Sequence, residues 1–79
     1  MSPNIITVDG YRFVIYNNDH RPAHVHVIKG ERAARVHLAT SELTENYGFT
    51  PAEVRRILKL SREHHAALMD AWRRLHPED

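Results

Sequence analysis

His24 and His26, one residue apart in the run His24-Val25-His26-Val27-Ile28-Lys29, are the residues whose type and spacing most directly suggest chemistry. Side chains on a strand alternate faces with a period of two, so a strand here projects both imidazoles from one face. A second β-rich run, Arg32-Ala33-Ala34-Arg35-Val36-His37-Leu38-Ala39, follows Gly30-Glu31, and glycine in first place suits a two-residue type II′ turn. Lys29 then faces Arg32, which sets His37 across from His24 and Arg35 across from His26. Directly opposed residues have Cβ atoms about 4.5–5.5 Å apart, close enough for His24, His26 and His37 to share Zn²⁺, Ni²⁺ or Cu²⁺. His20, in the preceding turn, is a candidate fourth ligand, and Asp19 beside it can accept a ring N–H and so orient His20 or His24.

The same residues support chemistry that requires no cofactor. One neutral imidazole acting as base and one protonated imidazole acting as acid, with cations to hold the phosphate, are what attack by a 2′-hydroxyl on an RNA phosphodiester needs. Histidine is the side chain whose ordinary pKa, about 6.5, supplies both forms near neutrality. The candidate catalytic residues are His24, His26, His20 and Asp19, and the candidate phosphate holders are Arg35 and Arg21. A third reading makes the histidines polar residues on the solvated face of a half-buried sheet, free to seat a partner.

The elements that must position these groups are legible from periodicity, which changes from two to about three and a half near Thr50. Ile5-Ile6-Thr7-Val8 and Tyr11-Arg12-Phe13-Val14-Ile15-Tyr16 flank Asp9-Gly10, a dipeptide suited to a type I′ turn, and predict a first hairpin. Asn17-Asn18-Asp19-His20-Arg21-Pro22-Ala23 is turn chemistry and predicts an exposed loop. In the second hairpin Val25, Val27, Ala34, Val36 and Leu38 fall on the core-facing side, in agreement with the register that the turn sets independently. Residues 40–49, acidic and without a cation, read as a short turn or irregular connector. Thr50-Pro51-Ala52-Glu53 is a capping box with proline at the first helical position. From there Val54, Ile57, Leu58, Ser61, His65, Leu68, Trp72 and Leu75 form one apolar stripe, and Pro77 ends it. The spacing allows one helix or two, and an unbroken helix would align Arg55, Lys59, Arg62 and Arg73 on a second stripe. The fold these elements predict is α+β within a single domain 1–79: a small antiparallel sheet of two hairpins over 5–39, the connector 40–49, and an amphipathic helix over 50–76 packed on one face. The histidine cluster is expected on the face opposite the helix, with His64, His65 and His76 structural or incidental.

Composition narrows the function classes. The chain has 79 residues, no cysteine and seven histidines, so disulfides and Cys-containing zinc sites are excluded. No apolar run approaches the roughly 20 residues that span a membrane, and nothing at Met1-Ser2-Pro3-Asn4 marks secretion, so the cytoplasm is the expected compartment. A net charge of +1 does not demand a nucleic-acid partner, although nine of the eleven cations are arginine. Leu60, Ala67 and Ala71 make a small apolar strip that suits either a wider core or a homodimer.

Asp9-Gly10-Tyr11-Arg12, the stretch Asn18-Asp19-His20-x-Pro22-x-His24-x-His26, and a C-terminal helix ending near Trp72 resemble a small bacterial family catalogued as domain of unknown function 4160. Ala23 stands where many members carry a second proline and Val25 where many carry an aromatic residue; neither is a polar position of the motif. The resemblance implies a short, stand-alone protein encoded beside a second small protein, an arrangement similar to a toxin–antitoxin pair. The expected function is therefore a toxin-like or regulatory component of a two-gene module acting on RNA or DNA, with the neighbouring small protein as partner and, if it is an enzyme, a His-based ribonuclease. The alternative is a non-catalytic metal-binding or protein-interaction module using the same histidines.

Overall fold

The computed structural model describes residues 4–16 and 18–77; Met1, Ser2 and Pro3 of the N-terminal reading and Asn17 of the turn run lie outside them. The chain forms β1 (Asn4–Val8), β2 (Tyr11–Ile15), β3 (His24–Lys29), β4 (Arg32–His37), β5 (Glu42–Tyr47), α1 (Pro51–Glu63) and α2 (His65–Leu75). The strands make one antiparallel sheet in chain order, β1-β2-β3-β4-β5, with both helices following it. This is the α+β architecture the alternation predicts, extended by one strand.

The two predicted turns form because their residues tolerate the backbone the turns impose. Asp9 (φ 52°) and Gly10 (φ 80°) are both left-handed, as a type I′ turn requires, and Gly30 (φ 60°) is positive ahead of Glu31, as in type II′. The β3–β4 register follows, with His24 opposite His37, His26 opposite Arg35 and Lys29 opposite Arg32. Alternation then buries Val25, Val27, Ala34, Val36 and Leu38 together with Tyr11, Phe13 and Ile15 of β2. Ile57, Leu60, Leu68, Ala71 and Trp72 close this core from the helices, so two of the three residues in the apolar strip belong to the core while Ala67 is exposed.

The acidic stretch expected as an irregular connector is instead strand β5, paired with β4 from Ala33–Tyr47 to His37–Glu42. It is an edge strand whose one partly buried aliphatic residue is Leu43, and its polar surface is how edges avoid pairing with other chains. The register shifts between Arg35 and Val36, leaving Thr44 as the extra residue of a bulge. Thr44 Oγ1 donates to the Arg35 carbonyl at 3.3 Å.

The helical stripe is divided at His64, which caps the end of α1 and precedes α2. The capping box is present: Thr50 Oγ1 accepts from the Glu53 amide at 3.2 Å, and Glu53 Oε1 accepts from the Thr50 amide at 3.1 Å. Arg32 of β4 donates to both carboxylate oxygens of Glu53, tying the helix start to the sheet. Arg56 of α1 pairs with Asp9 of the first turn. Because of the break, Arg55, Lys59 and Arg62 lie on α1 and Arg73 on α2; all four are exposed, and no continuous cationic stripe forms. Among the described residues no helix is long and apolar enough to cross a membrane.

Candidate metal centre

The loop between β2 and β3 returns Asp19 to the strand it leaves. Its amide donates to the Tyr16 carbonyl, and its Oδ2 accepts from the Tyr16 amide, each at 3.3 Å. These local bonds are the turn chemistry of aspartate, and they fix the carboxylate beside the histidine face of the sheet. At the other end of the loop, Leu38 donates its amide to the Ala23 carbonyl at 2.9 Å, which clamps the Pro22-Ala23 segment to the end of β4.

Asp19, His24 and His26 converge. Asp19 Oδ2 lies 3.5 Å from His24 Nε2 and 3.4 Å from His26 Nε2. One donor atom from each of the three residues falls within 4.8 Å of the others. His24 is buried, and Asp19 and His26 are half-buried. His24 Nδ1 lies 2.9 Å from the Pro22 carbonyl oxygen. A carbonyl only accepts, so Nδ1 is the donor of this hydrogen bond, and Nε2 is the ring nitrogen turned toward Asp19 and His26. His26 Nε2 is buried and has no hydrogen-bond partner among the described residues. Ring packing fixes both imidazoles: Tyr16 lies edge-on to His26 with centroids 5.1 Å apart, and Trp72 lies tilted against His24 at 5.5 Å.

The Trp72 contact revises the expectation that the cluster sits wholly opposite the helices. His24 begins its strand at the end of the sheet, where α2 also ends, and its ring meets the helix there. His76 continues the packing, stacked on Trp72 at 3.8 Å with its Nδ1 donating to the Trp72 carbonyl. His65 lies 3.0 Å through Nε2 from the Leu38 carbonyl. His65 and His76 thus sit in the packing of the helices, as their place in the sequence suggests.

His37 and His20 stand outside the group of three converging donors, although the register sets His37 opposite His24. Asp19 pairs with His24 and His26 rather than with His20. His20, Arg21, Arg35 and His37 line a pocket of about 470 Å³ together with Asp19 and His24, so the candidate phosphate holders share a cavity with two of the three converging residues, while His26 is not part of its wall. Arg35 is ion-paired at 2.8 Å with Glu45 on β5, a partner that emerges only once β5 is recognised as a strand. Tyr47 donates its hydroxyl to the other Glu45 oxygen at 2.7 Å. That hydrogen bond, reinforced by the carboxylate charge, raises the Tyr47 phenol above its ordinary pKa. Sequence spacing does not reveal the roles of Trp72 and Glu45, because each reaches the site from another element of the fold, nor that of the Pro22 carbonyl, which is near in the chain but is aimed at His24 by the path of the loop.

Neither a curated protein nor a solved structure matches this chain. Residues 10–73, a span that contains every residue of the converging cluster and of the pocket, match a family described as domain of unknown function (DUF4160), and the chain belongs to that family.

Proposed function

We propose that Asp19, His24 and His26 hold a divalent transition metal, zinc or nickel, and that the metal faces a phosphate-binding pocket through which the protein acts on nucleic acid. The observation that carries this reading is the spacing of the donors. Separations of 3.4 and 3.5 Å are too long for charge-assisted hydrogen bonds, which run to about 2.7–2.9 Å. Ligands held about 2.0–2.1 Å from a tetrahedral zinc stand about 3.3–3.4 Å from one another. The Pro22 carbonyl on His24 Nδ1 supports the same reading, since a backbone carbonyl on the remote ring nitrogen is the usual outer-shell arrangement of a ligating imidazole.

Three protein ligands leave a coordination position open, which is the pattern of a catalytic rather than a structural site. One carboxylate and two neutral imidazoles leave a divalent ion with a net positive charge, which favours an anionic substrate and lowers the pKa of bound water. Arg21 and Arg35 on the same cavity suit a phosphodiester. A metal-free pair of imidazoles is less well supported, because acid and base must flank the phosphorus, whereas here both rings converge on a single carboxylate oxygen. The substrate class and the resemblance together favour a component of a two-gene module whose target is nucleic acid.

Calorimetric titration of the chelator-treated protein with Zn²⁺ or Ni²⁺, alongside thermal melting, tests this. One equivalent of metal should bind, and a hundredfold excess over Kd should add about 2.7 kcal/mol of stability. His26→Ala should lose both effects while keeping the metal-free melt. No heat of binding and a melt indifferent to metal and chelator would overturn the reading.

A further inference from the structure

Arg35 occupies an unusual position for a paired cation. It lines the cavity beside the converging cluster, yet its partner Glu45 comes from the edge strand and engages it through Nη1, at 2.8 Å. Its Nε is buried without a hydrogen-bond partner among the described residues. A guanidinium is a planar fork that holds a phosphate through two parallel N–H bonds, so a single carboxylate contact leaves part of that capacity unused. The two side chains are 41% and 35% exposed, and pairs this open to solvent are weak enough for a competing anion to displace. Glu45 also has a second partner, the Tyr47 hydroxyl at 2.7 Å on its other oxygen, which remains when Arg35 is withdrawn. The bulge at Thr44 lies next to this pair, and Thr44 both lines the cavity and bonds the Arg35 carbonyl.

We infer that Arg35 is the anion-receiving residue of this cavity and that Glu45 is its internal competitor, so that a phosphate group binds by taking the place of the Glu45 carboxylate. The ligand class is a phosphate monoester or diester, and the inference rests on the phosphodiester reading of the site while requiring no metal. Arg21 and His37 on the cavity wall add donors to the same anion, and Tyr47 retains the displaced carboxylate.

The probe is inorganic phosphate, titrated into the full chain in the presence of a chelator and followed by calorimetry or by phosphorus NMR linewidth. Glu45→Gln should tighten binding about two- to fivefold, the range that corresponds to an exposed ion pair. Arg35→Ala should abolish binding, and Arg35→Lys should weaken it by removing the fork while keeping the charge. Thermal melts of each variant establish that the protein stays folded. Equal or weaker phosphate binding by Glu45→Gln, or no binding by any form, would overturn the inference. Because the titration is metal-free, tightening by Glu45→Gln in a protein that fails to bind zinc would sustain this inference while removing the metal reading. Zinc binding with no effect of Glu45→Gln would do the reverse.

Discussion

The imidazole of His24 lies against the indole of Trp72, ring centroids 5.5 Å apart and planes tilted by 52°, so the candidate metal centre rests on the last turns of the C-terminal helix. Trp72 is itself 3% exposed and is also stacked by His76. A core residue of α2 thereby holds a ligand of the sheet in place, and the stability of the helix end and the geometry of the site are linked through one side chain.

That link predicts a difference between two core substitutions. Trp72→Leu should destabilise the protein by about 2–4 kcal/mol and also weaken zinc binding, because the wall behind His24 is gone. Leu60→Ala, in the core on α1, should cost about 2–5 kcal/mol but leave the zinc affinity of the folded protein as it was. Chemical denaturation combined with zinc titration at low temperature measures both. Equal zinc affinities in the two variants would show that Trp72 does not position His24.

Glu53 makes the helix start pH-dependent. Its carboxylate accepts from the Thr50 amide and then from Arg32, and these hold its pKa below the ordinary value of 4.5 despite an opposing contribution from burial. A depressed carboxylate pKa means the folded state prefers the ionised form, so the stabilisation is complete above about pH 4.5 and is lost as pH falls through the lower folded value. The melting temperature of Glu53→Gln should therefore lie below that of the native chain at neutral pH, with the gap closing in acid. Thr50→Ala, which removes the reciprocal half of the box, should cost about 1 kcal/mol. A gap that widens as the pH is lowered would contradict this account.

Gly48 fixes the passage from β5 to α1. Its φ is +98°, and a Cβ there would come within 2.9 Å of Arg32 Cγ. Arg32 holds Glu53 and lies over the Phe49 ring at 5.6 Å, so any side chain at 48 strains the backbone and pushes on the residue that ties the helix to the sheet. Gly48→Ala should destabilise by more than about 1 kcal/mol. Gly30→Ala, with nothing within 4 Å of the added Cβ, carries the backbone strain alone and should cost less. Denaturant midpoints of the two variants compare them directly.

The sequence by itself determined both hairpins, the register that faces His24 with His37, the buried side of β3 and β4, and the capping box at Thr50. These are local: a turn dipeptide sets the register, a period of two sets the face, and a cap lies within three residues of what it bonds. The edge strand escaped the same reading because its polar surface resembles a loop, and only pairing with β4 distinguishes the two. The site was legible in part. His24 and His26 share a face by alternation alone, but the choice of Asp19 as the third group rather than His37 or His20 required the loop to fold back onto Tyr16. Trp72 behind His24 and Glu45 on Arg35 belong wholly to the tertiary structure, since contacts between residues 48 and 10 positions apart follow from how helix and edge strand pack, which no local spacing encodes.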